Sequence, residues 1–517
     1  MLDVLIKNGK IVDGSCAPGF YGDVAVKNGK IVKISPAIYD PAVHTIDAAG
    51  LVVSPGFIDC HNHSDKNIFY AYSAYNALEQ GVTTLIAGQC GAGAAPYYNG
   101  MLGTLSAEEL EIEIARRKDM KSYLSAVDRL ALGANMAFFV GHNNLRGKAM
   151  GYSADIPDRD QMKSMQFDLI EAMEAGCLGF STGLIYAPSA HASTDELIEL
   201  ARVMVPYGGI YVSHIRGEDH RVLGALDEAI RIGREAGVQV HISHLKVMGL
   251  QNAGLAEQLL QRIDKANEEG IVVHADQYPY EASSSSLSSR IPAKFHDGGK
   301  AKLLERIDDQ RIRCQIDEYG LDYDTMYITS LPQTPDYIGR FVGQIARDEN
   351  RAPVDVLCDI LLANKGQGSG IYFNQNAQDL MKILSHPRVF GGSDSSNMPE
   401  HRPDANAGGE RHPRGQGCMV RRLAMQRDHK LCSLETSVHR VTGAPAQALH
   451  LPGQGLLREG ADANITVFNY EGLRDHATYR QPYRANEGIV YVLVNGEIAV
   501  MHGKATGTTA GKVLRVK

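Results

Sequence analysis

Val52-Val53-Ser54-Pro55-Gly56-Phe57-Ile58-Asp59-Cys60-His61-Asn62-His63 is the stretch on which the reading of this chain turns. Its apolar run predicts a strand with two histidines at the end. On a strand, residues two apart face the same side, so both imidazoles can converge on one ion. A lone histidine is more often a solvated or core residue. Here Cys90, His214, His244 and Asp394 follow as further candidate metal ligands along the chain.

Working outward, apolar segments at 56–61, 82–86, 136–141, 177–181, 209–214, 238–244, 271–275 and 389–394 read as eight strands. Helical intervals follow most of them. Ser106-Ala107-Glu108-Glu109 has the form of a capping box, and 195–205 and 222–236 carry helical apolar spacing. Eight strands with intervening helices predict an α/β fold, a TIM-like (β/α)8 barrel over 53–455. His61, His214, His244 and Asp394 each end a predicted strand, and the chemistry of such barrels sits at the C-terminal strand ends.

Short strands are expected at 3–6, 23–27 and 31–34, with turns at Asn8-Gly9 and Asn28-Gly29. The tail repeats the pattern at 463–469, 489–494 and 497–501, with Asn495-Gly496 between the last two. Residues 1–52 and 456–517 therefore predict one small β-sandwich built from both termini. The polar, glycine-rich end from 503 to 517 is expected to run over the surface. The connection 281–388 is far longer than an ordinary βα loop. It opens with Glu281-Ala282-Ser283-Ser284-Ser285-Ser286-Leu287-Ser288-Ser289 and predicts a lid insertion over about 281–345 between strands 7 and 8; a decorative surface insertion is the alternative.

With 517 residues and 44% hydrophobic content, the chain has material for a large core and more than one structural unit. A net charge of −8 and a pI near 6.2 offer no electrostatic footprint for nucleic acid or an anionic membrane. No apolar stretch approaches the ~20 residues that span a bilayer, and the N-terminus does not read as a signal peptide. A soluble, cytoplasmic protein is expected. Eight cysteines without a C-x-x-C pair read as reduced thiols. Cys90 stands apart, since flanking glycines in Gly88-Gln89-Cys90-Gly91 let backbone or metal approach closely.

Zinc prefers Cys and His with some carboxylate. Cys90, His214 and His244 make a suitable tight site, while His61, His63 and Asp394 could hold a second, weaker ion with Cys90 as bridge. A carboxylate beside metal-activated water can take its proton and later deliver it to a leaving amine, a role open to Asp394. An Asx-turn or N-cap is the structural alternative. Lys246, two residues after His244, would share its strand face. Arg414 can grip a carboxylate bidentately, and Tyr278 ends the seventh strand region. Each of these three, taken singly, is also an ordinary surface charge or packing aromatic.

With these residues in hand, the chain resembles the amidohydrolase superfamily, specifically the N-acyl-D-amino-acid deacylases (D-aminoacylases). The resemblance rests on Ser54 to Asp65, Gly88-Gln89-Cys90-Gly91, Gly179 to Tyr186 and Ser213-His214-Ile215-Arg216-Gly217-Glu218. It continues through Ile242-Ser243-His244-Leu245-Lys246, Tyr278-Pro279-Tyr280, Gly392-Ser393-Asp394 and His412-Pro413-Arg414. It implies that Cys90 stands where most of the superfamily bridges two metals with a carboxylated lysine. It also implies that metal-activated hydroxide attacks the acyl carbonyl while Lys246, Tyr278 and Arg414 hold the α-carboxylate. Gly141-His142-Asn143-Asn144-Leu145-Arg146 departs from the pattern, since small residues are more usual in place of the two asparagines. The resemblance further allows an arginine of the lid, here Arg290, to meet an acidic side chain of the substrate. A solvent-facing Arg290 is the default expectation.

The leading expectation is zinc-dependent hydrolysis of N-acyl-D-amino acids, a small-molecule substrate. A cyclic-amide hydrolase of the hydantoinase or dihydroorotase type is the enzyme alternative, weakened because that chemistry expects a carboxylated lysine. A non-catalytic metal-binding scaffold is the other, weakened by Asp394.

Overall fold

The decisive stretch serves two sheets. Val52–Pro55 pairs with Leu2–Ile11 and Ile465–Phe468, whereas Phe57–Asp59 pairs in parallel with Val82–Ala87. Gly56 makes the crossing: a Cβ there would lie 2.1 Å from Thr83 Oγ1, so a side chain has no room. The computed structural model describes residues 1–102, 105–398 and 411–516.

The fold is α/β. Its parallel strands are β1 (Phe57–Asp59), β2 (Val82–Ala87), β3 (Asn135–Phe138), β4 (Gly179–Gly183), β5 (Ile210–His214), β6 (Gln239–Ile242), β7 (Val273–Gln277) and β8 (Val389–Gly391). β1, β2 and β3 form one sheet, and β4 to β8 form another with the short continuation of β3 at Val140–Gly141. The sheets are linked at both junctions. Phe139 N–H donates to Ala87 O and Leu178 N–H to Phe138 O, while Cys60 N–H donates to Gly391 O and Asp394 N–H to His61 O. Ile58, Ile86, Ala137, Leu178, Val212 and Phe390 fill the space between strands as one buried cluster.

The helices obey the local signals. Ser106 caps Ala107–Arg116, accepting from Glu109 N–H at 3.3 Å while the Glu109 carboxylate accepts from Ser106 N–H at 2.9 Å. Val222–Ala236 buries Val222, Ala225, Leu226, Ala229, Ile230 and Gly233, a stripe of i, i+3, i+4 and i+7 positions, and ends at Gly237 in the left-handed region. Each fully buried Val or Leu of this kind contributes ~1.5–3 kcal/mol.

Several expectations shift. Asn8-Gly9 is no turn: Leu2–Ile11 is one strand with a bulge there, and Asn8, at φ 61°, bonds through its N–H to Asp23. The third strand breaks at Phe139, and the seventh runs to Gln277. The tail does not simply cover the surface. Met136 N–H donates to Lys512 O, Leu514 N–H to Met136 O and Val516 N–H to Gly176 O, so it laces the N-terminal side of β3 and β4. Lys517 lies outside the described residues.

Both termini contribute to a single nine-stranded mixed sheet. After β7, an antiparallel sheet of Ser283–Ser286, Met326–Ser330 and Ser369–Tyr372 encloses its own core, including Leu303, Ile316, Val342, Ile345, Leu357 and Leu361. The inserted unit therefore continues past 345 to Tyr372, because Pro353–Ala363 packs its apolar face into that same core. Among the described residues, no helix is long and apolar enough to cross a membrane.

Gly88 stands where β2 opens into the Cys90 loop. It has φ +80°, and a Cβ there would lie 2.0 Å from Phe139 O. Gly88→Ala should therefore cost more than ~2 kcal/mol, combining left-handed strain with a backbone collision. A thermal unfolding midpoint unchanged from that of the native protein would contradict this packing.

Candidate active site

The loops beyond the C-terminal strand ends converge on Cys90. Cys90 itself has φ 54° and is flanked by Gly88 and Gly91, also at positive φ. Ser181 fastens this strained loop, donating to Gly88 O and accepting from Gly91 N–H. Cys90 Sγ lies 3.3 Å from His61 Nε2 and 3.4 Å from His244 Nε2. Burial alone would raise the thiol, but His61 and His244 outweigh it and hold the group well below the ordinary thiol range.

Two clusters share that sulfur. His61, His63, Cys90 and Asp394 offer ligand atoms within 4.8 Å of one another, as do Cys90, His214 and His244. Asp394 Oδ1 is 3.1 Å from His63 Nε2 and 3.5 Å from His61 Nε2. All six expected ligand residues are thus brought together, though not by strand alternation. His61 and His63 lie beyond the end of β1, His244 beyond β6 and Asp394 beyond β8. His244 and Asp394 take φ 34° and 49°, so tight turns rather than pleats aim them.

The donors fit a zinc ion. Nδ1 of His63 and Nδ1 of His214 are buried without a hydrogen-bond partner, and His214 Nε2 has only the Glu218 carboxylate 3.5 Å away; an ion held by one nitrogen of each ring relieves part of that cost. Thiolate, imidazole and carboxylate are also zinc's preferred ligands.

Two carboxylates escaped the sequence reading. Asp276 Oδ2 lies 3.2 Å from His61 Nδ1 and 2.8 Å from His241 Nε2, and its Oδ1 accepts from His244 N–H at 2.9 Å. Glu218 Oε1 lies 3.1 Å from His244 Nδ1. Each engages the Nδ1 side of an imidazole whose Nε2 faces Cys90, the arrangement that orients metal-ligating histidines. Burial opposes the charge on both, but His61 beside Asp276 and Lys246 beside Glu218 hold them well below the usual carboxylate range. Position could have signalled them: Asp276 follows the predicted seventh strand, and Glu218 closes the His214 motif.

The anion-holding candidates line the same cavity, about 400 Å³ in volume. Lys246 is not on the strand of His244, since β6 ends at Ile242. Its side chain folds back, pairing with Glu218 and reaching within 2.6 Å of His244 Nδ1. Arg414 starts the helix Arg414–Asp428, lies 2.8 Å from Asp394 Oδ2 and stacks 4.9 Å from the Tyr278 ring. Burial would raise the Asp394 carboxyl, but Arg414 and His63 hold it well below its ordinary range. Arg290 is half-buried rather than free in solvent. It lines the cavity, with its guanidinium 4.9 Å from the Tyr372 ring and its Nε buried. It ends a 3-10 turn, Leu287–Arg290, that follows the strand Ser283–Ser286, and Tyr372 lies on the strand paired with that one.

The Amidohydrolase family matches residues 44–279 and 334–500, leaving out a stretch that falls within the insertion. A D-aminoacylase of Alcaligenes xylosoxydans xylosoxydans is 33% identical over 99% of this chain and 97% of its own length. An N-acyl-D-glutamate deacylase of the same organism is also 33% identical, over 99% of this chain and 96% of its own. Among solved structures, an N-acyl-D-glutamate deacylase from Bordetella bronchiseptica, complexed with zinc and a phosphonate mimic of the tetrahedral intermediate, superposes with a TM-score of 0.83. That likeness covers 99% of both chains at 32% identity. Five candidate ligand residues gather round the Cys90 sulfur, and by its likeness to these relatives along its whole length the chain belongs to the amidohydrolase family, in its N-acyl-D-amino-acid deacylase branch.

Proposed function

We propose that the protein is a zinc-dependent deacylase that hydrolyses the amide of N-acyl-D-amino acids to a carboxylate and a free D-amino acid. The observation that carries this reading is Cys90 shared between two ligand clusters at the floor of a cation-rimmed cavity. Hydrogen bonding that runs from β8 round to β1 supports a closed (β/α)8 barrel over 53–455. We read 1–52 with 456–517 as a small sandwich and the insertion as a lid. Zinc held by these residues would supply Lewis-acid polarisation of the acyl carbonyl and lower the pKa of bound water to ~7. Cys90, His214 and His244 would hold the tight ion, and His61, His63 and Asp394 a weaker second one. A thiolate at the shared position disfavours the hydantoinase type, and the open cavity above it disfavours a scaffold. Cytoplasmic residence fits the need to keep Cys90 reduced.

Lys246, Tyr278 and Arg414 stand together on the β6 to β8 side, where they suit the substrate α-carboxylate. Asp394, kept ionised beside Arg414, is placed to take the proton of the attacking water and return it to the departing amine. Arg290 adds a second reading, of side-chain class. It has no acidic partner among the described residues and reaches the cavity, which favours a substrate with a D-Glu or D-Asp side chain.

Amine release from N-acetyl-D-glutamate, N-acetyl-D-leucine and their L-enantiomers tests both readings on zinc-loaded protein. We expect the D-compounds to be cleaved and Arg290→Met to lose turnover selectively on D-glutamate. Cleavage of L-compounds alone would overturn the deacylase assignment; equal effects of Arg290→Met on both side chains would overturn the acidic preference. Asp394→Asn should lower turnover by roughly 100- to 10,000-fold, the range for a general acid/base, while zinc content at the tight site persists. Near-native turnover would assign the proton to another group.

A further inference from the structure

Charge pairing round the cavity leaves two cations over. Lys246 pairs with Glu218 and Arg414 with Asp394. Arg290 and Lys66 line the same cavity without a close ion pair among the described residues, although the buried Asp65 next to Lys66 feels its charge. Arg290 comes from the insertion after β7, on the side where the α-carboxylate groups stand. Lys66 follows β1, and the loops after β2, β3 and β4 contribute Ala92, Asn143, Ile185 and Tyr186 to the same cavity lining. With the α-carboxylate on the β6 to β8 side and the amide above Cys90, the acyl arm of the substrate must extend toward this β1 to β4 wall.

Asn143 makes that wall specific. Its backbone N–H donates to Gly91 O at 2.8 Å, tying it to the Cys90 loop, and its Oδ1 accepts from Ser189 N–H at 2.8 Å. Because a backbone N–H can only donate, this bond fixes which end of the amide is oxygen. The NH2 end is left with no partner among the described residues. Neighbouring Asn144 differs: its Oδ1 accepts from Gly93 N–H and its Nδ2 donates to Pro96 O. Asn144 is thus occupied in holding the loop, whereas Asn143 keeps a donor for the cavity. An ammonium and an amide donor that line one cavity suit an anionic acceptor.

We propose that the acyl group this enzyme handles best carries a terminal carboxylate, a dicarboxylic half-amide such as succinyl, held by Lys66 and Asn143. The proposal rests on the deacylase reading and adds the acyl class to it.

The test uses zinc-loaded enzyme and three derivatives of the D-amino acid whose N-acetyl form is cleaved fastest: N-acetyl, N-succinyl, and N-(4-methylpentanoyl), the uncharged shape mimic of succinyl. The succinyl derivative should exceed the 4-methylpentanoyl one in kcat/KM on the order of tenfold or more, as a charge-assisted hydrogen bond gives. That ratio should collapse toward one in Lys66→Met, whose exposed side chain makes it a safe substitution for folding, and in Asn143→Leu. A native ratio at or below one, or a ratio unaltered in Lys66→Met, would overturn the proposal while leaving the deacylase intact. No release from any N-acetyl-D-amino acid in the preceding screen would overturn the deacylase reading and this proposal with it.

Discussion

Everything at this site depends on one buried sulfur placed where the chain is least comfortable. Cys90 sits in the left-handed region inside a loop of positive-φ glycines, with imidazoles of His61 and His244 at 3.3 and 3.4 Å. A thiolate in so dry a place is stable only with positive charge around it. The strain and the desolvation are offset by the rigid strands on either side, by Ser181 fastening the loop, and by the cation the ligands are arranged to take.

The same logic spreads outward. Asp276 and Glu218 lie on the Nδ1 sides of His61 and His244, so that Nε2 of each faces Cys90. Glu218 also pairs with Lys246, and Asp394 with Arg414. The groups that would orient zinc and those that would hold the substrate therefore share partners. Disturbing one set should be felt in the other.

Much of this was legible in the sequence because the ligands are chemically distinctive and fall at strand ends. His61, His214, His244 and Asp394 stand out at the ends of predicted strands, His63 by alternation with His61 and Cys90 by its flanking glycines, and the structure brings these six candidates together; the strand-helix alternation marks the α/β core. The errors came where local grammar is ambiguous. Asn-Gly marks a hairpin at 28–29, but at 8–9 the same dipeptide forms a bulge, because the flanking residues continue to pair with Phe20–Lys27. The inserted unit was cut short because its later helices bury their apolar faces against residues far upstream, which no local pattern shows. Asp276 and Glu218 were missed for a different reason. Asp276 lies within β7 and Glu218 in the loop after β5, where a carboxylate is ordinarily a solvated or capping group, and their contacts with imidazoles show what their position at the strand ends only suggests. Arg290 was expected in solvent because most arginines are there; it is half-buried at the end of the 3-10 turn Leu287–Arg290 instead.

Zinc content measured on purified Cys90→Ala beside the native protein, under the same zinc supply, bears most directly on the central claim. With the shared thiolate gone, both clusters lose a ligand, and most bound metal should be lost together with deacylase activity. A Cys90→Ala protein that keeps its full zinc content would contradict the account.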